Sequence, residues 1–145
     1  MQVFLPYPDL EKSVRCLDPK RLGNQVYREC LTLIRGGWPN HPVAKMWRDC
    51  QMAIATYALY GLDELERRGR DYPRHRQTFI GFLDTRITEG MMQMPIGFGD
   101  DRLHSSHRAA LLYKDFAWYS QFGWTEFPAI PDSKGRLPYY WPPIT

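Results

Sequence analysis

Apolar residues recur at spacings of three and four along most of this chain, and no run alternates convincingly in the manner of a strand. The pattern therefore predicts helices. Leu22, Val26, Cys30, Leu33 and Ile34 make the stripe of one helix, which Asp18 is placed to cap and Pro19 to open, where its missing N–H costs nothing. That helix runs to about Arg35 and stops at Gly36-Gly37. Before it come an extended arm over Met1–Tyr7, anchored by Val3, Phe4 and Leu5 and stiffened by Pro6, and a short helix over Pro8–Leu17. After it, Asn40 is the expected cap and Pro42 the first turn of the longest amphipathic segment. Val43, Trp47, Cys50, Ile54, Tyr57, Gly61 and Leu65 mark its inner face up to Gly69.

Phe79, Ile80, Leu83 and Ile87 predict a further helix over Arg74–Thr88, followed by an irregular loop, Gly90–Asp101, broken by Pro95, Gly97 and Gly99. The last expected helix is Ser105–Phe122, with Ala109, Leu112, Phe116 and Tyr119 in its stripe and Gly123 at its end. Prolines 128, 131, 138, 142 and 143 forbid regular helix in the tail from Trp124. Tyr139, Tyr140 and Trp141 imply that this tail wraps the helices. The expected fold is mainly α: a compact single-domain bundle over residues 1–145, with an irregular N-terminal arm and an aromatic, proline-rich C-terminal tail.

Composition narrows the picture only a little. At 145 residues with 43% apolar content, the chain is long enough to bury a core. Its net charge of +3 permits contact with nucleic acid without demanding it. Cys16, Cys30 and Cys50 are odd in number and lack metal-type pairing, so reduced, buried thiols and a cytoplasmic location are expected. Neither a secretory leader nor a membrane-length apolar run is visible. A glycine-rich phosphate loop, a serine-nucleophile motif and a dinucleotide fingerprint are all missing, which removes kinase, triad-hydrolase and nicotinamide chemistry.

The chemistry-bearing residues fall in three groups. Arg21, Gln25, Arg28, Glu29 and Thr32 share the polar face of the early helix. A carboxylate fixed among guanidiniums there can hold a phosphate, relay protons and stabilise a cationic sugar. His41, His104 and His107 form the second group. The spacing of His104 and His107 suits a metal, but no third ligand completes a motif, and no metal or cofactor is expected. His107-Arg108 at a helix opening fits a phosphate better. Lys114, Trp118 and Tyr119 are the third, a cation among aromatics suited to stacking an unpaired base.

Tyr27-Arg28-Glu29, the segment Leu65-Glu66-Arg67-Arg68-Gly69, and Trp118-Tyr119 before Gly123 together resemble the phage pyrimidine-dimer DNA glycosylases, also called endonuclease V, over about residues 17 to 123. The opening MQ-x-FLPY-x-D, the segment LD-x-x-RLG and the later SHR and YYWP are more similar still to a bacterial and phage branch. The resemblance implies a helical enzyme that flips a nucleotide and attacks the sugar C1′ with its N-terminal amine, aided by a helical glutamate. It implies Glu29 as that acid, Arg28 as its substrate-contacting neighbour, and Trp118 and Tyr119 in a region meeting DNA. The chain departs from the family where Gln2, too large for efficient methionine trimming, leaves Met1 to supply the amine. It departs again at Thr32, where the family has a basic residue.

The leading expectation is thus a DNA-acting enzyme of the glycosylase or the glycosylase/AP-lyase type, directed at a damaged or modified base and using Met1, Glu29 and His107 for the chemistry. Arg21, Gln25, Arg28, His41, Arg108, Lys114, Trp118 and Tyr119 would bind DNA or nucleotide substrate, with no membrane and no obligatory protein partner. The alternatives are an enzyme acting on a nucleotide or hypermodified base without an amine, and a non-catalytic nucleic-acid-binding module.

Overall fold

Every regular element among the residues described, 1–83 and 92–144 of a computed structural model, is helical. Leu10–Arg15 (α1) begins at Asp9, whose carboxylate accepts from the Lys12 N–H at 2.8 Å, and so is shorter than the Pro8–Leu17 span expected. Pro19–Asn24 (α2), a π turn over Gln25–Glu29 and Cys30–Ile34 (α3) then follow without a break, ending at Gly36 with φ +75. Asp18 holds the cap position without a side-chain cap bond; its carboxylate instead accepts from the Tyr119 hydroxyl and from Arg21 at 3.2 Å. In the π turn the Cys30 N–H reaches back five residues to the Gln25 carbonyl. Such turns often sit at functional sites, and the apolar spacing gave no hint of this one.

His41, not Asn40, caps Pro42–Met46 (α4): its Nδ1 accepts from the Val43 N–H at 3.1 Å. The single helix expected up to Gly69 breaks over Trp47–Cys50, where Asp49 adopts φ +63, and Gln51–Arg67 (α5) starts afresh. Pro73–Ile80 (α6) ends earlier than the expected Arg74–Thr88, whose last residues, with Gly90 and Met91 of the expected loop, lie outside the described residues. Asp101–Lys114 (α7) starts ahead of Ser105 because Asp100 caps it, accepting from the Arg102 N–H at 3.0 Å. It stops at Asp115, whose carboxylate caps Phe116–Tyr119 (α8); a 3₁₀ turn, Ser120–Phe122, leads to Gly123 at φ +70.

The axis of the core is α5, which buries Ala53, Ile54, Ala55, Tyr57, Ala58, Leu62 and Leu65 against α1, α3, α6 and the π turn. Gly61 allows this approach, since a Cβ there would lie 2.7 Å from Val26 Cγ2 and 3.0 Å from Val14 Cγ2. The tail does wrap the helices: the Ala129 N–H donates to Ala109 O at 2.9 Å and the Tyr140 N–H to Ser106 Oγ at 3.0 Å, both on α7. All three cysteines are buried and free. Among the described residues no helix is long and apolar enough to cross a membrane.

Candidate active site

The N-terminal arm is buried from Gln2 to Pro6 yet belongs to no sheet, so its backbone groups need partners from elsewhere. Helix side chains supply them. Gln25 Nε2 donates to Gln2 O at 2.9 Å, and Gln25 Oε1 accepts from the Phe4 N–H at 3.0 Å. The Tyr57 hydroxyl donates to Phe4 O at 2.9 Å. His107 Nδ1 accepts from the Leu5 N–H at 2.8 Å, His104 Nδ1 donates to Leu5 O at 2.7 Å, and Arg108 donates to Pro6 O at 2.8 Å. Ser13 Oγ finishes the series on both sides of Tyr7, accepting at 3.1 Å and donating at 2.9 Å. Each such bond is worth about 1 kcal/mol net, and leaving one of these buried groups bare costs more. The arm is thereby held along its length, and its first residue is delivered to a fixed place.

That place is the wall between two hollows, both lined by Met1 and Glu29. One, of about 350 Å³, adds Lys20, Arg21, Lys114 and Tyr139. The other, of about 340 Å³, adds Arg28, Thr32, Trp38 and His41. Burial raises the Glu29 carboxyl above its ordinary range, while the Met1 ammonium and the Arg28 guanidinium pull it partway back. The imidazole of His41 is lowered, first by burial and then by repulsion from the Met1 ammonium. On the far side, Lys114 is lowered by desolvation and by the neighbouring charges of Arg21 and Lys20, an excess of positive charge that an anion would relieve. An amine, a carboxyl whose proton affinity is raised and an imidazole whose proton affinity is lowered thus line adjoining hollows flanked by cations. Such a set suits attack on an electrophilic carbon whose neighbouring phosphates are held by Arg and Lys.

Of the residues singled out in the sequence, Met1, Arg21, Gln25, Arg28, Glu29, His41 and Lys114 line these two hollows. Gln25 does so with its amide committed to the arm. The others lie elsewhere. His107 is wholly buried in the body of α7, not at a helix opening, and packs edge-on against Phe4 and Tyr139 at the back of the first hollow. Burial holds its pKa down to about 3, so it stays neutral and props the arm instead of exchanging protons. Arg108 is forked onto Glu126 at 2.8 to 3.0 Å and is not free for a phosphate. Tyr119 has no exposed surface, and the Trp118 indole N–H donates to Cys16 O at 2.8 Å while Arg68 covers its ring at 5.3 Å. Both aromatics fasten the C-terminal helices to the α1–α2 junction.

Sequence reasoning missed Lys20, Tyr139 and Trp38 as cleft residues, and missed that Tyr57, His104 and His107 act on the arm. Only Trp38 carried a readable signal, an aromatic stranded between two helix-stopping glycines and a proline, off every apolar stripe. Both ring nitrogens of His104 are occupied, by Leu5 O and the Gly99 N–H, while His107 is engaged through Nδ1 and its buried Nε2 has no partner among the described residues, where no group of three metal-ligating side chains is gathered. The sequence model of one family, described as pyrimidine dimer DNA glycosylase, matches residues 1–79. That stretch carries the arm, Glu29, His41 and the central helix, but not the α7 side chains that hold the arm. No curated protein and no solved structure matches the chain.

Proposed function

This chain belongs to the pyrimidine dimer DNA glycosylase family, so its function is of the DNA glycosylase type and its substrate is DNA, and we propose that it excises a damaged base with the α-amine of Met1 as nucleophile. One observation carries this reading: side chains from four separate helical segments grip the arm so that Met1 stands beside Glu29 in a cation-flanked cleft. The amine lone pair forms a bond to the sugar C1′ as the C1′–N bond to the base breaks, and the base departs with a proton. Glu29, with its raised proton affinity, stabilises the positive charge that builds on the sugar and returns or removes protons as the sugar ring opens to an iminium. Loss of a C2′ proton to the carboxylate then expels the 3′ phosphate, the AP-lyase step. Arg28 on one side and Lys20, Arg21 and Lys114 on the other hold the flanking phosphates.

The test is borohydride reduction during incubation with duplex DNA carrying a thymine dimer or an abasic site. A covalent protein–DNA species should accumulate, and acetylation of the N-terminal amine should abolish it. Base release that proceeds without any reducible adduct would discard the amine mechanism.

A further inference from the structure

Trp38 is the one large aromatic at this cleft that nothing in the fold explains. Its side chain is 70% exposed and does not pack on the core, yet its backbone sits at φ +53, a conformation bulky residues rarely adopt. The turn is fixed at both ends: the His41 N–H donates to Trp38 O at 2.9 Å, and a Cβ on Gly37 would meet Thr32 Cγ2 at 2.8 Å. A strained backbone with an unpacked ring is the reverse of what stability alone would select, and such outliers gather at functional sites.

Its position is specific. The ring lines the hollow of Met1, Glu29 and His41, and also a neighbouring one of about 380 Å³ lined by Tyr27, Arg28, Leu31 and Arg35. It therefore stands between the reacting groups and a second recess. Arg28 and Arg35 flank it, both exposed and neither in an ion pair among the described residues, ready for phosphates on either side. A flat, exposed ring between two hollows and two exposed guanidiniums matches the chemistry of an unstacked nucleobase, which has a π face and a phosphate on each side.

We propose that Trp38 is the stacking surface that receives an unpaired nucleobase at the mouth of the Met1–Glu29 cleft and holds its nucleotide out of the duplex. This rests on the reading of the chain as a DNA-acting enzyme, and it adds the residue that captures the extruded base. The strain at Trp38 keeps the ring projected into solvent across the cleft.

The test measures affinity for two duplexes by fluorescence anisotropy, one fully paired and one carrying a single bulged thymine, with no chemistry required. The wild-type protein is expected to prefer the bulged duplex. W38A and W38G should each lose that preference by roughly 10- to 100-fold, the scale of one base–aromatic stack, while W38F keeps most of it and paired-duplex affinity is unchanged. Glycine suits φ +53, so W38G stays folded even if alanine disturbs the turn, and a melting curve checks this. Equal preference in wild type and W38G overturns the proposal. A Trp38-dependent preference without any reducible adduct leaves the stacking role standing and sinks only the amine chemistry. An adduct without Trp38 dependence does the opposite.

Discussion

Leucine at position 25 matches glutamine in size and helix propensity but deletes the amide that clamps the arm. The Phe4 N–H then loses its acceptor and Gln2 O its donor, both inside the core, while Phe4 O keeps the Tyr57 hydroxyl. Each orphaned group costs about 1–3 kcal/mol, so roughly 2–6 kcal/mol in all. Releasing the arm would expose Val3, Phe4 and Leu5, at about 1.5–3 kcal/mol apiece, which is the larger loss. The arm should therefore stay docked from Val3 onward and fray at Met1 and Gln2. For a chain of this size a loss of that order lowers the melting temperature by about 7–20 °C. Loss of fixed amine geometry should also slow borohydride trapping by about 10- to 100-fold at temperatures where the fold persists. Circular dichroism melts and trapping time courses measure both. Tyr57→Phe should cost less, and the double variant less than the sum, since Tyr57 also donates to Gln25 Oε1 at 3.1 Å. Unchanged melting and unchanged trapping in Gln25→Leu would refute the idea that this amide sets the amine.

Glu29→Gln should leave the melting temperature level or slightly raised, because burial already disfavours the charge, while adduct formation falls by about 100-fold or more. Acid should destabilise the fold through the arm: His107 is held at about 3 against an ordinary 6.5, so the unfolded chain takes up its proton first as pH drops. Stability is then complete above about pH 6.5 and declines below it by about 1.4 kcal/mol per unit, with His104 acting in the same direction; urea midpoints from pH 7 to pH 4 follow this, and His107→Phe should flatten the slope. Gly61→Ala should lose about 1–3 kcal/mol by forcing α5 off Val26 and Val14, read as a shift in urea midpoint at constant slope.

The helical stripes were legible because a 3.6-residue period is local: Leu22, Val26, Cys30 and Leu33 are buried as their spacing requires. The breaks at Trp47–Cys50 and Asp115 were not, since Val43, Trp47, Cys50 and Ile54, like Leu112, Phe116 and Tyr119, keep helical spacing across a backbone that turns away. Glu29 and Arg28 could be picked out because their neighbours lie on the same helix face. His107 looked available for chemistry because the N–H it receives belongs to Leu5, 102 residues away, and nothing in its own neighbourhood announces that partner. Arg108 and Tyr119 were misjudged for the same reason, their partners Glu126 and Asp18 being distant in the chain. The family match rests on the first half of the chain, with Ser13, Gln25 and Tyr57, while three further groups that hold the arm, on His104, His107 and Arg108, come from the second.

Peptide mapping of the reduced protein–DNA adduct by mass spectrometry tests the central claim most directly, because Lys20 and Lys114 offer competing amines within the same hollow. The deoxyribose remnant is expected on the α-nitrogen of Met1, in the N-terminal peptide, and to disappear from it in Glu29→Gln. A remnant on either lysine, with Met1 unmodified, would contradict the assignment of the arm as the carrier of the nucleophile.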